Sequence, residues 1–260
     1  MRNVLVALLV LAASPALAQE KDSVKDQGKE KLSAIDLSVR VALTFKVPDA
    51  VVQKMLPAGF EVNAPAAGPT KGANLGMTFI DYLMVQDPDG KPVPPVTTMA
   101  MNVPSKRTAT GESVGVVVGG FITQSAAPGP YFVFGAAKTT VNRQSHTDAE
   151  GKSIIDESWQ VKADDGSAIE LAVQFARGVP DRRKLDPKNY SAAKPEFYRI
   201  YRIDQAADVA RSIPGGIDRV AKFSFTATGP KLASLFNGSE QLISVTSVPF
   251  YSRSIYVPTQ

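Results

Sequence analysis

The amino-acid sequence predicts an α+β fold that is mainly antiparallel β-sheet, with only a few short helices. Three observations predict it. Apolar and polar residues alternate over several stretches, as in strands that bury one face. The turn sequences TDAEG and ADDG separate three such stretches at hairpin spacing, which favours antiparallel neighbours. The helical signals are short, and 260 residues with 44% hydrophobic content fit one large domain or two small ones.

The chain begins with the features of a cleavable secretory signal. Residues 1–18 combine a basic start, an apolar run too short to span a bilayer, and the small-residue pattern of Ala16 and Ala18. Residues 19–33 carry many charges and almost no apolar side chains, which predicts a disordered leader. We therefore expect a periplasmic or secreted protein with no stable membrane anchor after cleavage. Its single domain would cover residues 34–260.

The first half of this domain is predicted to contain strands and one short helix. Apolar residues alternate with polar or small ones from residue 37 to residue 45, which indicates a half-buried strand. Pro48 is typical of a first helical turn, and Pro57 and Gly59 end the short amphipathic helix that follows. Further strands are predicted at residues 76–86, 97–103 and 114–123.

The second half has the clearest pattern, an antiparallel meander with strands near residues 131–146, 153–163 and 167–177. A basic, polar loop is predicted to follow, up to about residue 195. Asp204 has the character of an N-cap, so we expect a helix from there to Ser212, after a strand at residues 197–203. The predicted closing elements are a strand near residues 220–228, a short helix over PKLASLF and one or two final strands.

The composition excludes several kinds of chemistry. The chain has no cysteine and a single histidine, His146, so disulfides, thiolate catalysis and multi-histidine zinc sites are excluded. The net charge is +4, but Lys and Arg are scattered among Asp and Glu, so nucleic acid is not an expected partner. The sequence indicates no cofactor and no metal.

Three ionisable residues are predicted to share strand faces with apolar residues, where a charge must be paired, neutralised or used. They are Asp81, Glu157 and Lys138, and Lys138 continues the face of Phe132 and Phe134 in YFVFGAAKTT. Burial lowers the pKa of a lysine, and the neutral amine can attack a carbonyl to form a Schiff base. The alternative is a register shift at a bulge, or a side chain that reaches water from a strand end.

The stretch from FGAAKTT to FARG resembles the segment of acetoacetate decarboxylases in which a lysine is followed by two hairpin-linked strands. VALTFKVPDAVVQKMLPAGFEV is similar to the early segment of that superfamily, and FSFTATGPKLASLFNGSEQLISVTSVPFYSRSIYV to its closing segment, in the same order. The resemblance implies a cone-like β-barrel with a few short outer helices and an interior pocket that holds Lys138. It also implies a homo-oligomer and Schiff-base chemistry.

The chain departs from the superfamily pattern around this lysine. It has Ala136, Ala137, Lys138 and Thr139 where decarboxylases have proline and paired lysines, so only one lysine remains. Phe132 stands where the resemblance would place a glutamate. The arginine of the superfamily site falls near Ser38, and Arg40 lies on the same face of the strand.

Two functions from different classes are consistent with these residues. In the first, an exported lyase of decarboxylase, aldolase or dehydratase type forms an imine between Lys138 and a small keto acid, and Glu157 or Asp81 transfers protons. In the second, the same pocket binds a small carbonyl-containing or apolar molecule without catalysis, and Lys138 is an ion-pair partner. The predicted substrate-binding residues are Arg40, Phe132 and Phe134.

Overall fold

A closed barrel of seven strands is the centre of the computed structural model, which describes residues 29–259. The predicted signal peptide and most of the predicted leader lie outside the described residues. The elements, in chain order, are β1 (Glu30–Lys46), α1 (Asp49–Gln53), β2 (Phe60–Val62), β3 (Leu75–Gln86), β4 (Pro92–Val93), β5 (Thr97–Arg107), β6 (Ser113–Thr123), a 3-10 turn (Gln124–Ala126), β7 (Gly135–Thr147), β8 (Ser153–Ala163), β9 (Ala168–Ala176), β10 (Asp181–Leu185), β11 (Lys188–Ser191), β12 (Tyr198–Ser212), β13 (Ile217–Asp218), β14 (Val220–Thr228) and β15 (Gln241–Pro258).

The barrel closes because β5 pairs with both β3 and β6. Around the ring the order is β6, β11, β12, β15, β1, β3 and β5. All of these neighbours are antiparallel except β6 and β11, which run parallel. The predicted class, mainly antiparallel β-sheet curled into a barrel, is confirmed.

The strands β7, β8, β9 and β14 extend the same sheet outside the barrel, because β7 pairs in parallel with β6, and we call these four strands the outer sheet. The two predicted hairpin turns connect its first three strands, as the sequence indicated. Its apolar face packs on the barrel exterior, where the ring of Trp159 lies 5.5 Å from that of Phe79 and Phe225 lies 5.2 Å from Phe45. This contact forms the main hydrophobic core.

Strand β1 separates that core from the barrel interior. Val41 and Leu43 are fully buried in the hydrophobic core. The alternate residues Asp36, Ser38 and Arg40 are also buried, on the opposite face. The sequence pattern therefore identified the strand, but its polar face is turned towards the inside of the barrel and not towards solvent.

Three predicted elements are wrong in part. The predicted helix from Asp204 to Ser212 belongs to β12, because this segment pairs with β15 on one side and with β10 on the other. The side chain of Asp204 accepts hydrogen bonds from Arg182 and caps no helix. PKLASLF forms turns, and the predicted loop before residue 195 contains the two short strands β10 and β11.

The start of the domain also differs from the prediction. Strand β1 begins at Glu30, inside the segment that its charge content assigned to the leader, because Glu30 and Leu32 pair with Pro258 and Tyr256 of β15. Pairing across the sheet therefore decides the boundary and not local composition. Between residues 29 and 259, no helix is long and apolar enough to cross a membrane.

Candidate functional site

A cavity of about 560 Å³ lies inside the barrel. All seven barrel strands contribute residues to its wall, together with the turn segment that ends at Phe134. The wall combines isoleucine, valine and tyrosine side chains with four charged residues, which are Asp36, Arg40, Arg199 and Arg253. Pockets of this size, mostly apolar with a few polar groups, are typical of small-molecule sites.

Two buried arginines share one carboxylate in this wall. Arg253 donates from Nε to Oδ2 of Asp36 at 2.6 Å and from Nη2 to the hydroxyl of Tyr82 at 3.0 Å. Arg40 donates from Nε to Oγ of Ser38 at 2.9 Å, and its Nη2 lies 3.5 Å from Oδ1 of Asp36. The side chains of these two arginines and of the aspartate are at most 8% exposed. Two cations and one anion thus share a site from which water is largely excluded.

The aromatic side chains of the cavity lie against these guanidinium groups. The guanidinium carbon of Arg40 is 3.2 Å from the ring centre of Tyr251, and that of Arg253 is 4.2 Å from the ring centre of Tyr201. Contacts of this kind stabilise a desolvated cation. The hydroxyl of Tyr201 also forms a hydrogen bond with the hydroxyl of Tyr131.

Burial shifts the titration of these groups. It raises the pKa of Tyr131 well above its usual value and also raises that of Tyr251, since a phenolate would have to be desolvated. Burial lowers the pKa of Arg40. It acts in the same direction on Arg253, but Tyr82, Tyr201 and Asp36 outweigh it and raise the pKa of that guanidinium well above its usual value. Tyr131 and Tyr251 are therefore neutral phenols at neutral pH.

Several buried polar atoms of the residues that line the cavity have no hydrogen-bond partner among residues 29–259. They are Oδ1 of Asp36, Nη2 of Arg40, Oγ1 of Thr98 and Nε of Arg199. Buried polar atoms are normally paired, and an unpaired one destabilises the fold by about 1–3 kcal/mol. Among the buried side chains of the described chain, just one further unpaired atom is found, Oγ of Ser167. Unsatisfied polarity is therefore concentrated at this cavity.

Of the three predicted substrate-binding residues, two line the cavity and one is exposed. Arg40 and Phe134 line the cavity. Phe132 does not, since its side chain is 41% exposed and its ring contacts Phe197 and the ammonium group of Lys194. The placement of Arg40 agrees with the sequence analysis, and its role in binding stays a prediction.

The expectation that Lys138 lies in the interior pocket is wrong. Its side chain is exposed on β7, opposite the exposed Lys162 of β8, while Ala137 takes the buried position beside it. The alternation failed because β7 begins only at Gly135. Phe132 lies in a turn and Phe134 in irregular backbone before the strand, so the parity of the phenylalanines does not continue into β7. No lysine lines the cavity formed by the described residues.

The two predicted acids lie together, but outside the cavity wall. Arg143 donates to both carboxylate oxygens of Glu157, at 2.9 and 3.1 Å, and to Oδ2 of Asp81 at 3.3 Å. Trp159 donates from its indole nitrogen to Oε1 of Glu157 at 2.7 Å. Burial opposes the charge of Arg143, but Glu157 and Asp81 outweigh it and raise the pKa of this guanidinium. We call Arg143, Glu157 and Asp81 the outer cluster.

The other residues that define the site, Asp36, Arg253 and Arg199, were not predicted from the sequence. Arg253 stands between Tyr251 and Ile255 on a strand of alternating pattern, which is the same signal of a charge on an apolar face that drew attention to Lys138. Asp36 precedes Arg40 by four residues on one strand face. Arg143 lies directly opposite Glu157 across the hairpin, so the turn between β7 and β8 predicts the pair once the register is known.

Similar folds occur among solved structures. An acetoacetate decarboxylase-like enzyme from Sphingomonas wittichii RW1 is 11% identical and has a TM-score of 0.56, with 88% of this chain and 94% of that chain covered. MppR, an enduracididine biosynthesis enzyme in complex with the condensation product of pyruvate and imidazole 4-carboxaldehyde, is 10% identical, with a TM-score of 0.53 and coverage of 86% and 87%. No protein-family model and no curated protein matches the sequence.

Proposed function

We propose that this chain, which has the acetoacetate decarboxylase-like fold, binds a small organic acid in its barrel cavity. The observation that carries the proposal is the charge balance of the wall, three arginines against one aspartate. A buried cation without a matching anion is unfavourable, and a carboxylate supplies the missing charge. The planar guanidinium group is suited to carboxylates because it donates two parallel hydrogen bonds.

The unpaired atoms support the same kind of ligand. Arg40, Arg199 and Arg253 line the cavity, and their guanidinium nitrogens can only donate, whereas a carboxylate offers only acceptors. The hydroxyls of Tyr131 and Tyr201 carry two protons, of which their mutual hydrogen bond uses one. The second proton is available to a further oxygen, which favours an acid that also bears a carbonyl group. MppR, with a similar fold, is complexed with a compound derived from pyruvate.

Imine formation at Lys138 is the less favoured function. A lysine is activated as a nucleophile by desolvation, and the side chain of Lys138 is exposed on the outer sheet. Glu157 and Asp81 are occupied by Arg143 and do not reach the cavity. We therefore propose binding in the cavity, without a covalent bond to Lys138.

Export is a separate proposal, based on the basic start, apolar run and small-residue site of residues 1–18. N-terminal sequencing of the protein purified from its native cells is expected to begin near Gln19. A mature protein that begins at Met1 would contradict it.

Calorimetric titration with pyruvate and acetoacetate tests the binding function, with acetone as the uncharged comparison. We expect both acids to bind and acetone not to bind. Arg40→Gln should weaken acid binding by about 10–100-fold, the range expected for a lost hydrogen bond to a charged group. Arg143→Gln is the matched control, because it removes a partly buried ion-paired arginine outside the cavity, and should leave binding unchanged. If neither these two acids nor a longer organic acid binds, or if both variants respond alike, the proposal fails.

A further inference from the structure

The charged residues of the cavity wall are confined to one side of the barrel. Asp36 and Arg40 belong to β1, Arg253 to β15 and Arg199 to β12, which are three consecutive strands of the ring. The strands β5 and β6 contribute no charged residue to the wall. In the seven-stranded ring, β5 and β6 lie across the barrel from β15. The cavity thus has a charged wall and an uncharged wall that face each other.

The uncharged wall is predominantly apolar and closely packed. Val117 and Ile122 of β6 are buried, at 6% and 4% exposure, and belong to one apolar cluster with Phe134. Ala100 of β5 and Val96 just before it pack against this cluster. Thr98 and Asn102 of β5 are the polar residues of this wall, and its other residues are stabilised by contact with apolar groups of a ligand.

The size of the cavity exceeds what a short keto acid fills. Its volume of about 560 Å³ lies within the range of roughly 300–1,000 Å³ that is typical of sites for larger organic molecules. A molecule of the size of pyruvate or acetoacetate, held by the charged wall, would fill only part of a cavity of this volume. The rest of the cavity leaves room for a larger apolar group against Val117 and Ile122.

We propose that the ligand is an amphipathic organic acid, with a carboxylate on the charged wall and an acyl chain or ring against Val117, Ile122 and Phe134. The inference rests on the proposed binding of acids and specifies their class. It assigns the specificity for the ligand body to β5, β6 and the segment before β7, and the recognition of the acid group to β1, β12 and β15. Short keto acids are then weak ligands that occupy only part of the site.

Calorimetric titration of the purified protein with straight-chain 2-oxo acids, from pyruvate to 2-oxooctanoate, tests whether the ligand is an amphipathic acid. Full burial of each added methylene would strengthen binding about fourfold. We expect 2-oxooctanoate to bind at least about 30-fold more tightly than pyruvate. Equal affinities along the series would overturn the inference but leave acid binding intact. If none of the acids binds, the proposed function itself fails, and the inference with it.

Two variants in which an alanine is replaced by leucine test where the acyl chain of the ligand lies. Ala100→Leu adds volume to the apolar wall and should reduce the affinity for 2-oxooctanoate at least fivefold, with little change for pyruvate. Ala172→Leu makes the same change at an exposed position of β9 and is the matched control. A loss of affinity for the long acid in both variants, or in neither, would contradict the proposed position of the chain. Because the wild-type series is informative by itself, the test does not depend on the folding of Ala100→Leu.

Discussion

Two ionic clusters of this protein have opposite composition. The outer cluster joins one arginine to two carboxylates, whereas the inner cluster joins Arg40 and Arg253 to the single carboxylate of Asp36. In the outer cluster Nε, Nη1 and Nη2 of Arg143 all donate to carboxylates, and Glu157 also accepts from Trp159. In the inner cluster Nη2 of Arg40 and Oδ1 of Asp36 lack hydrogen bonds.

This difference separates a structural role from a binding role. In the outer cluster the charged groups are paired with one another by hydrogen bonds. The cluster connects β3, β7 and β8 and holds the outer sheet against the barrel. The inner cluster has more positive than negative charge and lines a cavity. Perturbed ionisable groups occur both in structural networks and in functional sites. Here the completeness of the hydrogen bonding distinguishes the two cases.

Removal of the central acid of the outer cluster should have the largest effect on stability. Glu157→Ala leaves the indole nitrogen of Trp159 and the guanidinium of Arg143 without their partner. Loss of one partner of a buried ion pair lowers the free energy of unfolding by about 3–5 kcal/mol. Because the side chain of Arg143 is 26% exposed and can still contact Asp81 or water, we expect about 2–3 kcal/mol. Urea denaturation measures it.

The same variant also tests whether the two clusters are independent. Folded Glu157→Ala should bind acids as the wild type does, since Glu157 does not line the cavity. A loss of acid binding at a temperature where the variant is fully folded would show that the outer cluster contributes to the site.

Neutralisation of Asp36 in the inner cluster should lower the stability of the protein and strengthen the binding of acids. Asp36→Asn removes the anion between two guanidinium groups, so we expect the free energy of unfolding to fall by about 1–3 kcal/mol. The excess positive charge of the cavity increases, and the affinity for acids should rise several-fold. Thermal denaturation with and without 2-oxooctanoate measures the change in stability and the change in acid affinity. The acid should raise the melting temperature of Asp36→Asn more than that of the wild type. Weaker acid binding in Asp36→Asn would contradict the assigned charge balance.

The buried tyrosines predict how stability falls at high pH. The pKa of Tyr131 is raised in the folded state by burial, so the unfolded chain loses this proton first as the pH increases. The stabilisation is complete below the unfolded pKa near 10 and is lost as the pH rises towards the folded pKa. The slope amounts to at most about 1.4 kcal/mol per pH unit for one group. Tyr131→Phe should therefore show a shallower decrease between pH 10 and 11, measured by urea denaturation, and an equal decrease would contradict it.

Much of the fold could be predicted from the sequence because alternation and turn composition are local signals. They identified the strands β1, β3 and the meander of β7, β8 and β9, together with the short helix α1. They failed at β12, whose residues after Asp204 have helical character, because pairing with β10 and β15 outweighs local preference. Pairing partners of this kind lie far apart along the chain.

The candidate site was predicted less well, for two physical reasons. A closed barrel buries both faces of its strands, so the polar face of β1, with Asp36 and Arg40, is an interior wall and not a solvent face. The parity that placed Lys138 on the face of Phe134 does not hold, because β7 begins only at Gly135 and Phe134 lies before it. Neither closure nor the first residue of a strand can be deduced from alternation alone.

The smallest effect is expected at Lys138, which belongs to neither cluster. Its exposed side chain lies opposite that of Lys162, so Lys138→Gln removes a repulsion between like charges and should change the free energy of unfolding by less than about 0.5 kcal/mol. Acid binding should be unchanged, and borohydride reduction in the presence of pyruvate or acetoacetate should leave Lys138 of the wild type without an adduct. Lys162→Gln is the matched control. An adduct at Lys138, or weaker acid binding in Lys138→Gln alone, would show that the outer face of β7 takes part in the chemistry and that the division between a structural exterior and a binding interior is wrong.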